Sequence, residues 1–233
     1  MHAMILAAGQ GTRLGQLGQR IPKVLIELNG RPLLARHLDW LEREGVKRVV
    51  VNAHHLADHV QAFVDGYRGP LELICMVEPE LLGTAGGVRN ALRYLEPGPF
   101  VVLYGDVLVD EPLGLLLERH RKERALATLS VHEASSAEGK GVVEVDTCGR
   151  VTNFVEKSER GEGPALINSG LYALEPELVA PLPAAAPLDF GLDVLPQAVA
   201  RRERIFVHRL SSPAIDIGTP AGLAEARRKQ EER

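Results

Sequence analysis

The chain has 233 residues, 45% of them hydrophobic and 25% charged, with a formal net charge of −4. That is enough chain for one sizeable α/β domain with its own core, in a composition ordinary for a globular protein. The slightly acidic balance argues against a general nucleic-acid surface, and no apolar run reaches membrane-spanning length or reads as a leader. Cys75 and Cys148 are far apart and form no metal or redox motif. Both are expected to be reduced thiols in a cytoplasmic enzyme. No internal repeat is visible, and no hexapeptide β-helix pattern follows the main domain.

In chain order, residues 3–8 form a short apolar run closed by glycines, which predicts a buried strand. A short extended piece is expected over 24–28, then a turn at Asn29-Gly30. Pro32 suits the first position of a helix whose leucines at 34, 38 and 41 keep helical spacing up to Gly45. Strands are expected at 46–51 and 71–77 around an amphipathic helix at 56–64. A glycine-opened helix at 83–95 precedes a fourth buried strand at 100–104, which ends in Gly105-Asp106. Strands alternating with helices predict a central mixed, mostly parallel sheet flanked by helices, a Rossmann-like α/β arrangement. Ligands of such sheets bind beyond the carboxyl ends of the strands, so the Gly9 loop, Glu78, Gly83 and Asp106 should share one rim. The second half changes character, with short strands at 125–132, 141–146, 151–155, 167–173 and 205–210, a loop or lid at 181–187, and a last helix over 221–229 capped by Thr219-Pro220. The tail at 230–233 is expected to fray. Residues 1–233 therefore read as a single domain, with one half to about residue 110 and a second over about 111–225.

The loop after the first strand carries the chemistry. Glycines at 9 and 11 let backbone approach a ligand closely, successive N–H groups in such a loop can face an anion, and Arg13 and Lys23 add full positive charge. A phosphate-rich ligand is expected there. The P-loop is excluded, because no Gly-Lys-Ser/Thr follows at the required spacing, and the dinucleotide fingerprint lacks its third glycine, where Leu14 stands. The run Leu6-Ala7-Ala8-Gly9-Gln10-Gly11-Thr12-Arg13-Leu14 with Pro22-Lys23 resembles the signature of the sugar-phosphate nucleotidyltransferases, the NDP-sugar pyrophosphorylases. It departs from many members only between its halves, at Gly15-Gln16-Leu17-Gly18-Gln19, where Pro and Thr are common.

The resemblance implies roles for residues that would be bland alone. Asp106, by itself a turn or cap aspartate, matches the family aspartate after the central strand. Asp216 in Asp216-Ile217-Gly218-Thr219 matches its Asp-x-Gly-Thr motif. Together they are expected to hold one Mg²⁺, an ion that favours oxygen ligands and substrate phosphates. Ala7, Ala8, Gly9, Gln10, Gly11 and Thr12 would wrap a nucleoside triphosphate, with Arg13 on the departing pyrophosphate and Lys23 on the α-phosphate. Glu78, Gly83 and Thr84 fall where the family places the base. Gly141, Glu156, Lys157 and Asn168 fall where it holds a sugar 1-phosphate, Lys157 on the phosphate itself.

His55 and His59 share a helix face at zinc-site spacing, but no third ligand is evident, and His54, His55 and His59 read as ordinary surface or helix-start residues. Asp189-Phe190-Gly191 is not a kinase motif, since the glycine-rich and catalytic loops of kinases are missing. Asp106-Val107-Leu108 is not the Asp-x-Asp of a glycosyltransferase. The resemblance runs from Met4 to about Ala224 and is strongest to short guanylyltransferases for mannose- or heptose-type sugar 1-phosphates. Uridylyltransferases for N-acetylmuramate 1-phosphate, phosphocholine cytidylyltransferases and a catalytically silent nucleotide-sugar-binding subunit stay open, as does a homodimer.

Overall fold

A computed structural model of the chain describes residues 1–95, 97–158, 162–184 and 187–231. The expected lid over 181–187 thus lies partly outside the described residues, and so does the end of the tail. The first half runs β1 (His2–Leu6), α1 (Gln16–Arg20), β2 (Glu27–Leu28), β3 (Arg31–Pro32), α2 (Leu33–Arg43), β4 (Arg48–Ala53), α3 (Ala57–Gly66), β5 (Glu72–Val77), α4 (Gly83–Leu95) and β6 (Phe100–Tyr104). The second continues with β7 (Val107–Leu108), α5 (Leu113–Lys122), β8 (Ala127–Ser136), β9 (Val142–Val145), β10 (Val151–Val155), β11 (Glu162–Leu174), α6 (Pro176–Val179), α7 (Leu195–Ala200), β12 (Ile205–Arg209), β13 (Ile215–Asp216) and α8 (Pro220–Glu231).

A nine-stranded sheet organises these elements, with β10-β9-β11-β6-β1-β4-β5 as its main path and β8 and β12 joined on the other edge of β11. β1 pairs in parallel with β4 and β6, β4 with β5, and β12 with β8. β11 runs antiparallel to β6, β8 and β9, and β10 runs antiparallel to β9. Among the described residues only β10 and β11 oppose the common direction, so the sheet is mixed but mostly parallel. Its two faces feed two separate cores, as the two-residue period of a strand requires. Met4, Phe100 and Val102 pack with the α4, α6 and α7 side, whereas Ala3, Ile5, Val101 and Leu103 pack with α2, α3 and α5.

A smaller core forms beside the sheet. Leu14, Ile26, Leu28, Leu33, Ile215, Ile217, Leu223 and Ala226 bury together where the β13–β7 ribbon meets α8. Several boundaries shift from the sequence expectation. The piece expected as extended over 24–28 begins as a 3-10 turn at Lys23–Leu25, and only Glu27–Leu28 pairs. Pro32 stands just before its helix as the N-cap, with extended backbone (φ −55°, ψ 141°). The helix expected from 56 starts at Ala57, because Leu56 itself is left-handed (φ 53°). Helices α1, α5, α6 and α7 have no counterpart in the sequence expectation. Among the described residues no helix is long and apolar enough to cross a membrane.

Candidate active site

A cleft of about 1100 Å³ opens at the carboxyl ends of β1, β4 and β6, bounded on its far side by β9, β11 and the loop after β10. Its near wall carries Ala7, Ala8, Gly9, Thr12, Arg13 and Lys23, and Gly83 and Thr84 border it at the start of α4. Its far wall carries Gly141, Glu156, Lys157 and Asn168, with Asp106 and Asp216 along one side. Gln10 and Gly11 belong to the loop without lining the cleft, and Glu78 lies beneath it, 2% exposed.

The glycine loop is held by local geometry. Gly11 is left-handed (φ 68°), and the Leu14 and Gly15 amides turn back on the Gly11 and Thr12 carbonyls to make a 3-10 turn over Thr12–Leu14. The first N–H groups of such a turn have no partner within it and suit an anion. Short helix α1, which fills the stretch where the sequence departs from its family pattern, packs against this turn. A Cβ at Gly18 would overlap the Gly11 carbonyl, so only glycine permits the approach. His55 Nε2 bonds the Gly18 carbonyl at 2.9 Å and His54 Nδ1 bonds the Glu78 carbonyl at 2.8 Å, which commits both histidines to backbone. No metal-sized group of three acidic, histidine or cysteine side chains exists among the described residues.

Asn52 is a site residue that the sequence reading passed over. It is 1% exposed at the end of β4, accepts the Ala7 N–H at 2.8 Å and donates to Glu78 Oε1 at 2.8 Å. Glu78 also accepts the Leu82 amide at 3.3 Å, so its carboxylate is engaged beneath the wall and does not face the cleft. The physical reason is that a buried carboxylate must be paired, and Asn52 supplies the donor. A single polar residue closing the run Val49-Val50-Val51 was the available signal.

Two ion pairs cross the opening. Lys23 Nζ bonds Asp106, with 17% and 16% of the two side chains exposed, and Arg13 reaches Asp216 at 3.3 Å, with 60% and 46% exposed. The first pair is enclosed; the second is largely solvated and contributes little to stability. Both meet at Gly218, where a Cβ would sit 2.8 Å from Asp216 Oδ1, 3.0 Å from Arg13 Nη2 and 3.1 Å from Asp106 Oδ2. Asp216 is aimed by its buried neighbours Ile215 and Ile217, and Gly218 N–H caps its Oδ1 at 2.7 Å. Asp106 follows Gly105, whose carbonyl bonds buried His37 Nε2 at 3.2 Å. Burial pushes the His37 imidazole down to about 4, so it stays neutral at physiological pH and can serve as a fixed N–H donor.

On the far wall, Glu156 is squeezed between glycines. A Cβ at Gly141 would come 2.9 Å from its Oε2, and one at Gly191 would overlap it. Burial chiefly, then the charge of Asp189, raises its carboxyl above the usual range, with Lys157 opposing. Lys157 has left-handed backbone (φ 50°), an uncommon state for a residue with a side chain. The adjoining Ser158 exchanges backbone hydrogen bonds with the 139–140 loop, locking the two loops together. Asp189, which the sequence left outside the site, lines the cleft and caps a turn of π-helix at Phe190–Val194 through the Gly191 and Leu192 amides.

A family model described as "Nucleotidyl transferase" matches residues 2–233. Curated relatives include a UTP–glucose-1-phosphate uridylyltransferase from Synechocystis, 31% identical over 94% of this chain and 60% of the relative. A mannose-1-phosphate guanylyltransferase from Mycobacterium tuberculosis is 31% identical over 94% of this chain and 62% of its own. The chain thus spans about three fifths of the length of these relatives. Among solved structures, HddC from Yersinia pseudotuberculosis superposes with a TM-score of 0.85 at 28% identity over 98% of each chain, and it has also been solved with GMP-PN.

Proposed function

Because the chain belongs to the nucleotidyl transferase family, we propose that its cleft joins a nucleoside triphosphate to a sugar 1-phosphate, giving an NDP-sugar and pyrophosphate. The observation that carries this reading is one cleft in which a glycine loop, two cations and two carboxylates face a second wall that carries Lys157 beside Glu156 and Asn168. A sugar-phosphate oxygen attacks the α-phosphorus in line as the bond to the pyrophosphate oxygen breaks. The nucleophile is already an anion, so no general base is required. The barrier is alignment and charge repulsion, which positioning and fixed positive charge lower.

The residue roles proposed are those that the family signature implies. The loop from Ala7 to Thr12 receives the triphosphate, Arg13 the departing pyrophosphate and Lys23 the α-phosphate. Lys157 holds the incoming phosphate, with Glu156, Asn168 and Gly141 beside the sugar. Gly83 and the Ala8 backbone face the base, while Glu78 acts through Asn52. Asp106 and Asp216 suit Mg²⁺: two carboxylates converge on one open position at Gly218, and substrate phosphates would complete an oxygen shell. Bound there, the ion would supply charge screening on the phosphates. Lys23 and Arg13 pair with the two carboxylates. The NTP-binding role belongs to about 1–110 and the sugar-phosphate role to about 111–225.

GTP with a mannose- or heptose-type sugar 1-phosphate is the preferred pair, supported by the guanylyltransferase relative and by the neighbour solved with GMP-PN. UTP with a hexose 1-phosphate is the second reading, favoured by the Synechocystis relative. Free thiols at Cys75 and Cys148 and the need for activated nucleotides fit work in the cytoplasm. A homodimer is the assembly to test by sedimentation. The deciding experiment measures pyrophosphate release with Mg²⁺ across GTP, UTP, CTP, ATP and dTTP against a panel of sugar 1-phosphates and phosphocholine. Fastest turnover with GTP and a mannose- or heptose-type acceptor is expected; preference for another base or for phosphocholine overturns the substrate assignment. Arg13→Ala, Lys23→Ala and Asp106→Asn should each lower turnover about a hundredfold or more, roughly 3 kcal/mol for one charged transition-state contact.

A further inference from the structure

Asp106 and Asp216 come from segments far apart in the chain, and the bonds that bring them together continue beyond the cleft. The two segments run antiparallel. Ile215 pairs with Leu108 and Asp216 with Val107 in the β13–β7 ribbon, and the Ile217 N–H extends the same register onto the Asp106 carbonyl at 2.8 Å. So short a ladder is marginal alone, and what closes its ends decides whether it holds.

The outer end is closed by one buried carboxylate. Glu111 is 3% exposed, and both of its oxygens are engaged by the segment that leads to Asp216. Oε1 accepts from His208 Nε2 at 3.0 Å, and Oε2 accepts from the Ser211 N–H at 3.1 Å and from the Ser211 hydroxyl at 2.7 Å. A carboxylate only accepts, so the imidazole N–H must point at it. Burial pushes the Glu111 carboxyl up, but the hydrogen bonds from Ser211 and His208 outweigh burial and hold it below its ordinary value. Neither Glu111 nor Ser211 lines the cleft, so this clasp is not a substrate contact.

The segment that bears Asp106 is anchored from behind. His37, Trp40 and Glu44 follow one another at helical spacing along α2 and just past its end. His37 Nε2 bonds the Gly105 carbonyl at 3.2 Å, Trp40 Nε1 donates to the Glu111 carbonyl at 3.0 Å, and Glu44 accepts the Leu113 N–H at 2.8 Å. The Glu111 backbone is therefore tied to α2, while its side chain carries that anchorage across to Ser211 and His208.

We propose that Glu111 is a positioning residue for the transfer reaction, a clasp that closes the outer end of the β13–β7 ribbon and so keeps Asp216 opposite Asp106. The proposal rests on the reading of the cleft as a nucleotidyltransferase site in which the two aspartates work together. The link is mechanical: with the clasp open, the ribbon frays from its outer end, and the bond between Ile217 and Asp106 at the inner end loosens with it.

The test compares Glu111→Leu with the wild type and with Leu95→Ala, which removes a buried side chain at the far end of α4 in a different core. Hydrogen–deuterium exchange in ¹⁵N spectra follows the Ile217 amide against the Ile5 amide in central β1. In Glu111→Leu the ratio of the two exchange rates should rise roughly tenfold or more, the order of one lost buried hydrogen bond in a local opening. With the substrates that the wild type turns over fastest, kcat should fall about tenfold, as misplaced reacting groups cause, with both KM values near those of the wild type. Leu95→Ala should leave the exchange ratio and kcat close to wild type, because its effect is global. An unchanged ratio in Glu111→Leu, the same change in Leu95→Ala, or an intact kcat in Glu111→Leu overturns the proposal. If the wild type turns over no substrate pair, it is the reading of the cleft that fails, and the exchange ratio alone decides whether Glu111 holds the ribbon. Should Glu111→Leu fail to fold, Ser211→Ala, which removes the shortest of the three bonds, is read in the same way.

Discussion

At the level of single residues, the site depends as much on what is missing as on what is present. Gly218 leaves open the position on which Asp106, Asp216 and Arg13 converge. Gly218→Ala would put a methyl 2.8 Å from Asp216 Oδ1 and 3.1 Å from Asp106 Oδ2. Turnover is expected to fall by about a hundredfold, comparable to losing one charged contact, while the melting temperature shifts little. Steady-state pyrophosphate release alongside a thermal melt checks both halves of that statement. Residues of this kind were legible in the sequence because the chemistry is local: Gly9 to Arg13 are contiguous, and Asp216 and Gly218 are two positions apart. Asn52 and Asp189 were not, because each acquires its role from a partner far along the chain. Asn52 joins Ala7 to Glu78, and Asp189 meets Thr84 across 105 positions. Glu78, expected from sequence beside the base, is hydrogen-bonded to Asn52 and the Leu82 amide, partners that the sequence alone did not reveal.

At the level of elements, the parallel half was legible because its strands are continuous apolar runs punctuated by glycine, as strands covered on both faces are. Helix α5 was not. Its run Leu113-Gly114-Leu115-Leu116-Leu117 is too short to separate helix from strand by period, and its polar half offers no cap signal. The buried face of α5 also carries His120, 1% exposed, with Nδ1 bonded to Thr128 Oγ1 at 2.9 Å. Burial pushes it down to about 4, as it does His37. Unfolded histidines titrate near 6.5, so between 6.5 and about 4 the unfolded chain takes up protons that the folded chain refuses. Stability is therefore full above pH 6.5 and declines as pH falls through that window, by at most roughly 3 kcal/mol for each histidine. Urea unfolding at pH 7 and pH 4.5 should show the decline, and His120→Gln should make it shallower; equal slopes for the two proteins would remove His120 from the explanation. The small core around β13 gives a second element-scale expectation. Ile217→Ala, at a position with no exposure, should cost roughly 2–5 kcal/mol and lower turnover by loosening Asp216.

At the level of the molecule, one mixed sheet holds two chemistries face to face. β1, β4 and β6 present the glycine loop, Asn52 and Asp106; β9, β10 and β11 present Gly141, Glu156, Lys157 and Asn168. Arg13, Lys23 and Lys157 all line the cleft, as the proposed transfer between two phosphate-bearing substrates requires. On the proposed reading, transfer goes directly from triphosphate to acceptor. The most direct test is pyrophosphate release from purified protein with Mg²⁺ and its preferred NTP, with and without the sugar 1-phosphate. Release only when both substrates are present is the predicted result. Release from the NTP alone, or none with any acceptor, would contradict direct transfer in this cleft.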